Sequence, residues 1–311
     1  MQGGIVKSEV PHLFCFGLGY TAKILARALK AQGWRISGTV RSPEKLASLN
    51  AQGFDTYLFG NEHPLADAEK ALAGVSHVLV TQPPGEFGDP VLHLERDVLL
   101  PLAPQWRWLG YLSATGVYGD CGGEWVDETA PLRPLSQTGK RRAAAEGQWR
   151  EFAEQTGVPL HIFRIAGIYG PTRNPLEQLR AGRARRIEKP GQVFSRIHVE
   201  DLAAVLAASM LKPDAGGAIY NICDDEPAPH HEVVAYAARL LGMEPPPLEP
   251  FFEAAKTMKP KAQRFYNESK RVSNARMKEA LGIRLRYPTY REGLTALCGN
   301  PWATGFSVRA K

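Results

Sequence analysis

The run Leu13-Phe14-Cys15-Phe16-Gly17-Leu18-Gly19-Tyr20-Thr21-Ala22 decides how the rest of the chain is read. A short apolar stretch of strand-forming residues ends at Gly17, and a helical pattern begins within a few residues. Gly17, Gly19 and Ala22 make a G-x-G-x-x-A pattern, set where a strand should turn into a helix. Each small residue has a physical reason. Gly17 permits the tight turn, Gly19 lets the backbone approach a pyrophosphate, and Ala22 lets helix lie close on strand. Tyr20 and Thr21 fall in the first helical turn, whose free N–H groups and dipole favour an anion. The pattern predicts a dinucleotide cradle.

Outward from this turn, Ile24, Leu25, Ala28 and Leu29 give helical spacing, and Gly33 suits a helix end. The alternation continues, with strands expected at 34–40, 54–59, 77–81, 108–113 and 160–165. Helices are expected from the Ser42-Pro43 start to near Gly53, at 65–72, at 91–99 with a stop at Pro101, and at 138–156. Strands alternating with helices mean βαβ units and a parallel sheet covered on both faces. Beyond Pro171 the rhythm changes, with helices expected at 199–211, 232–241, 273–281 and 289–297 and a late strand at 218–223. Pro245-Pro246-Pro247 reads as a stiff spacer. The expected fold is α/β: a Rossmann-type doubly wound parallel sheet with a small, mostly helical C-terminal substrate-binding domain. Residues 1–171, completed by about 196–225, form the dinucleotide domain; 172–195 and 226–311 form the lid.

Bulk composition narrows the function classes. The chain has 311 residues, 44% hydrophobic and 23% charged, with a net charge of +6. That balance suits an anionic small-molecule partner, whereas no clustered basic patch with interleaved aromatics points to nucleic acid. Cys15, Cys121, Cys223 and Cys298 are scattered, as reduced thiols of a cytoplasmic protein would be. No apolar run approaches the roughly 20 residues of a membrane helix, and Met1 to Pro11 lacks a leader pattern. His230-His231 has no further ligand at metal spacing, so no metal site is expected.

Cofactor preference is read at the second strand. An acid about 20 residues past the glycines would accept a ribose 2′-hydroxyl. Here Arg41 stands at the strand end with Ser42 beside it. A guanidinium holds a 2′-phosphate that a carboxylate would repel, which favours NADP over NAD.

Four stretches carry a resemblance: Phe16 to Ala22, Leu112-Ser113-Ala114-Thr115-Gly116-Val117-Tyr118-Gly119, Arg164-Ile165-Ala166-Gly167-Ile168-Tyr169-Gly170-Pro171 and Ile197 to Ala203. In order and spacing the chain resembles extended or atypical short-chain dehydrogenases/reductases of the epimerase/dehydratase type. The resemblance implies a cofactor wall that includes Thr81, Gln82, Pro83, Ile165 and Ile168. It also implies a Tyr, a Lys four residues later and a Ser or Thr, which move the proton and orient the carbonyl. This chain departs there. Thr138 stands at the Tyr position, Arg142 at the Lys position, and Ala114 at the hydroxyl position between Ser113 and Thr115. Thr is a far weaker acid than Tyr, and Arg holds charge without sharing a proton.

Ser113, Thr115, Thr138 and Arg142 are thus the candidate catalytic set, with Arg142 also placed to hold the nicotinamide ribose. Two readings stay open: an NADP-dependent oxidoreductase or epimerase acting on a small, sugar-like anionic substrate, and a non-catalytic NADP-binding sensor or binding module. A homodimer is compatible with either. The acids Asp120, Glu124, Asp127 and Glu128 and the arginines between 180 and 196 read first as solvated surface, and His198 as a helix cap.

Overall fold

The computed structural model describes residues 10–60, 63–212 and 217–299. The stretch read for a leader and the last residues of the lid lie largely outside these ranges. Seven parallel strands form the central sheet: β1 His12–Phe16, β2 Arg35–Val40, β3 Asp55–Leu58, β4 His77–Val80, β5 Trp108–Ala114, β6 Leu160–Ile165 and β7 Ala218–Ile222. Their order is 7-6-5-4-1-2-3. β1 pairs with β4 on one side and β2 on the other. It is the topological switch point, where a crevice opens beyond the strand C-termini.

The period-2 alternation of β1 fixes the layers. Leu13 and Cys15 pack with helices α1 (Tyr20–Lys30), α2 (Pro43–Asn50), α6 (Val199–Met210) and α8 (Ala275–Leu281). Phe14 and Phe16 pack on the opposite face with α3 (Pro90–Leu102) and α4 (Gln137–Thr156). A separate apolar cluster joins α5 (Pro175–Arg180), α7 (His230–Leu240) and α9 (Tyr290–Gly299) beside the sheet. That cluster is the core of the lid.

Two expectations are corrected. α3 continues through Pro101 rather than stopping before it. Proline there removes only a hydrogen bond to the carbonyl of exposed Asp97, one turn from the helix end, where water can substitute. Among the described residues the C-terminal part also holds strand pairs absent from the expected pattern: 186–188 with 248–250, 167–169 with 196–198, and 125–126 with 271–272. Each has only two or three residues per strand, too short for a periodic signal.

Behind the crevice lies a buried ion pair. Glu146 of α4 is fully buried and takes the Arg164 guanidinium of β6, itself 2% exposed, with Nη2 donating at 2.8 Å and Nε also donating. Ser113 Oγ of β5 donates to the same carboxylate at 2.6 Å. Arg164 Nη1 donates to the Tyr118 hydroxyl, which donates to Asn221 Oδ1 of β7. Three strands and one helix are thereby cross-linked through one carboxylate. Removing one partner of such a pair leaves a buried charge uncompensated. Glu146→Ala should therefore lower unfolding free energy by about 3–5 kcal/mol in a urea titration; a loss under about 1 kcal/mol would mean that Arg164 finds another partner.

Candidate active site

The strand–helix turn forms as its sequence requires. Gly17 has φ +98°, and a Cβ there would come within 2.4 Å of Thr81 Oγ1. Gly17 N–H donates to Thr39 Oγ1, and Thr81 Oγ1 donates back to the Gly17 carbonyl at 2.6 Å. Gly19 differs. A Cβ on it would meet nothing nearer than the Gly17 carbonyl, 4.0 Å away. Packing therefore does not demand glycine at 19; the space in front of it is open. Gly19 is the N-cap of α1, with no side-chain cap and no acid in the first turn. An uncapped, acid-free N-terminus facing open space fits a pyrophosphate.

One cleft of about 1480 Å³ runs from this turn across the strand ends into the lid. Gly19, Tyr20, Thr21, Ala22, Thr81, Ser113, Thr115, Thr138, Arg142, Ile165 and Ile168 all line it. Gly17, Arg41, Ser42, Gln82 and Pro83 do not. Gln82 is buried beneath the turn, with Nε2 on Thr39 Oγ1 at 3.5 Å. Arg41 is exposed at the end of β2 with no ion pair, and Ser42 caps α2.

The four candidate catalytic side chains are brought together but are not equivalent. The only hydroxyl proton of Ser113 is committed to Glu146, so Ser113 can accept from the cleft but not donate into it. Among the described residues the Thr115 hydroxyl has no hydrogen-bond partner. Thr138 is exposed in the first turn of α4, its Oγ1 3.1 Å from Ser136 Oγ, which caps that helix. Gly139 allows the approach, because a Cβ there would come within 2.7 Å of the Gly116 carbonyl. Arg142 donates to the Leu112 carbonyl at 2.5 Å, which pins the guanidinium at the base of the cleft. None of the four is a phenol or an amine.

Tyr118, the nearest phenol in sequence, is buried in the Arg164 network and does not reach the cleft. The loop acids are likewise engaged elsewhere: Asp120 accepts from Ser269 N–H, Asp127 from Thr129, and Glu128 from Asn221 N–H. His198 caps α6, with Nδ1 accepting from Glu200 N–H. Burial, with Arg286 nearby, pushes its pKa down to about 3. Among the described residues no cluster of three metal-ligating side chains occurs.

The lid half contains residues that sequence reasoning passed over. Arg183, Arg185 and Arg196, read first as solvated surface, line the cleft together with Arg173, Arg264 and Lys270. Arg185 pairs with Glu249 and Lys270 with Glu268, whereas Arg173, Arg183 and Arg264 have no ion pair. Glu268 is the single carboxylate among the cleft-lining residues. Crowding of arginines between 180 and 196 was the available signal; isolated Arg173 and Arg264 offered none.

The chain belongs to the NAD-dependent epimerase/dehydratase family, whose model matches residues 17–223. It is 28% identical over 282 residues to Protein YeeZ of Escherichia coli K12, spanning 88% of this chain and 94% of that protein. A functionally unknown conserved protein from Silicibacter pomeroyi DSS has 52% identity and a TM-score of 0.86, covering 94% of this chain and 99% of that one. A UDP-glucuronic acid 4-epimerase variant of Bacillus cereus, solved with a fluorinated UDP-glucuronic acid and NAD, shares the fold. Its TM-score is 0.71 at 18% identity, covering 93% of this chain and 98% of that one. Among the described residues no helix is long and apolar enough to cross a membrane.

The cap at His198 works only while its Nδ1 is unprotonated. A folded-state pKa near 3, against 6.5 ordinarily, means that neutral His198 contributes its full stability above pH 6.5. That contribution is lost as pH falls towards 3. His198→Asn, which caps without titrating, should flatten the dependence of unfolding free energy on pH between about 6.5 and 3. An unchanged slope would exclude His198 as a source of it.

Proposed function

We propose that this chain binds NADP(H) along α1 and the strand ends and acts on a small anionic, sugar-like substrate held by the lid, as an oxidoreductase or epimerase. The observation that carries the reading is one continuous cleft, with an acid-free helix N-terminus at one end and the exposed guanidiniums of Arg183 and Arg264 in its lid half. Gly19, Tyr20, Thr21 and Ala22 would take the pyrophosphate, Thr81, Ile165 and Ile168 the cofactor wall, and Arg142 the nicotinamide ribose. The cofactor supplies a hydride acceptor or donor. Pro83 and buried Gln82 serve as the floor and edge of the adenosine side rather than as direct ligands.

NADP preference rests on Arg41, which is exposed and free of any ion pair, with no acid at the β2 end to repel a 2′-phosphate. Anion preference rests on the lid arginines, since the one carboxylate lining the cleft, Glu268, is already paired with Lys270. The UDP-sugar carried by the B. cereus neighbour is one anionic, sugar-containing molecule of the proposed type.

Of the four candidate catalytic residues, Thr115 and Thr138 are the ones whose hydroxyls could meet a substrate oxygen. Neither is an acid of the strength of a phenol, so these two hydroxyls do not replace the proton transfer that a Tyr would perform. That same observation favours a second reading, a non-catalytic NADP-binding sensor. A screen of carbonyl substrates with NADPH separates the two: turnover supports the enzyme, and tight NADPH binding without turnover supports the sensor. A Thr138→Tyr plus Arg142→Lys variant that gains turnover would show that the cleft still holds reacting partners in register. Arg41→Ala should weaken NADPH by about tenfold or more while changing NADH little, measured by fluorescence titration; equal losses would remove the preference.

A further inference from the structure

We propose that Arg173, at the start of the lid, is a ligand of the cofactor pyrophosphate and closes over it from the side opposite the α1 N-terminus. This rests on the dinucleotide reading above. The residue is physically tied to the cradle. Tyr20, in the first turn of α1, donates its hydroxyl to the Pro171 carbonyl at 2.8 Å. Gly170 is glycine for the same contact: its φ is +157°, and a Cβ would lie 2.7 Å from the Tyr20 hydroxyl and 2.6 Å from Val199. Arg173 is therefore three residues from a backbone packed directly on the proposed phosphate site.

The backbone then fixes where Arg173 can reach. Gly170 and Arg173 exchange backbone hydrogen bonds at 3.0 and 3.1 Å, closing a tight turn. Asn174 Nδ2 donates to the Gly170 carbonyl at 2.8 Å, and Asn174 Oδ1 caps α5. Within the turn Thr172 sits at φ +63°, a conformation a β-branched residue adopts only at a cost. The Arg173 side chain emerges from this rigid platform into the cleft, exposed and without an ion pair. Its charge reaches the Tyr20 phenol, partly offsetting the upward push of burial there.

A helix N-terminus supplies partial positive charge from one direction, while a pyrophosphate carries two negative charges. The exposed Arg173 guanidinium supplies the complementary contact. The placement also has a consequence for order. α5 begins two residues after Arg173, and its residues Pro175 and Gln178 line the substrate half. A bound dinucleotide would hold the lid's first element in place, so cofactor should bind before substrate.

Titration of purified protein with NADPH, NADH and ADP-ribose tests this, followed by ligand fluorescence or calorimetry. Arg173→Ala should weaken all three by a similar factor of about tenfold, and Arg173→Lys by less. This differs from Arg41→Ala, which should affect NADPH alone. Because Arg173 is exposed, thermal unfolding of the unliganded variant should match the parent. ADP-ribose should also slow amide hydrogen exchange over 170–180 in the parent but not in Arg173→Ala. Unchanged binding of all three ligands by Arg173→Ala overturns the assignment while leaving the dinucleotide reading intact. A loss confined to NADPH would reassign the residue to the 2′-phosphate and likewise overturn it. A parent protein that binds none of the three overturns the dinucleotide reading itself.

Discussion

The architecture depends on one buried carboxylate. Glu146 reaches from α4 into the space behind β5 and β6, where Arg164 and Ser113 meet it. A charge without water costs several kcal/mol unless it is paired and its lone pairs are filled. Glu146 meets both demands with a guanidinium and a hydroxyl, and Arg164 passes the constraint on to Tyr118 and Asn221. Strand ends that must line the cleft are therefore set relative to each other by charge satisfaction as well as by ladder hydrogen bonds.

That solution has a chemical consequence at the cleft floor. Ser113 serves the core, which takes its proton away from any substrate. Arg142 is similarly half structural, since its contact with the Leu112 carbonyl spends one donor on the scaffold. What remains for chemistry is two threonine hydroxyls and a fixed positive charge. Those side chains can stabilise negative charge and orient oxygen atoms, but none of them is a general acid or base of the kind a phenol or imidazole supplies. The lid extends this character. Its exposed arginines add further positive charge to the lining of the cleft.

The central fold was readable because its signals are local. A strand, a glycine turn and an amphipathic helix each declare themselves within about a dozen residues, and their repetition leaves few topologies. Glycine itself was read less completely. Gly17 and Gly19 look alike in sequence, yet one is demanded by φ and by Thr81, and the other faces open space. The short strand pairs at 186–188 and 248–250, or 125–126 and 271–272, bring together segments tens of residues apart, with too few residues each to leave a pattern.

By itself the sequence determined the seven-stranded alternation, the glycine turn between β1 and α1 at Gly17 to Ala22, and the presence of Thr and Arg at positions 138 and 142. These follow from residue type and short-range periodicity. Only the tertiary structure decided which polar groups remain free. Whether a serine can donate, or an arginine is paired, depends on partners distant in sequence. Glu146 is 33 residues from Ser113, and Glu249 is 64 from Arg185, whereas among the described residues Arg173 and Arg183 form no ion pair. A hydrogen bond or ion pair saturates a side chain once formed, and three-dimensional proximity alone determines where that happens.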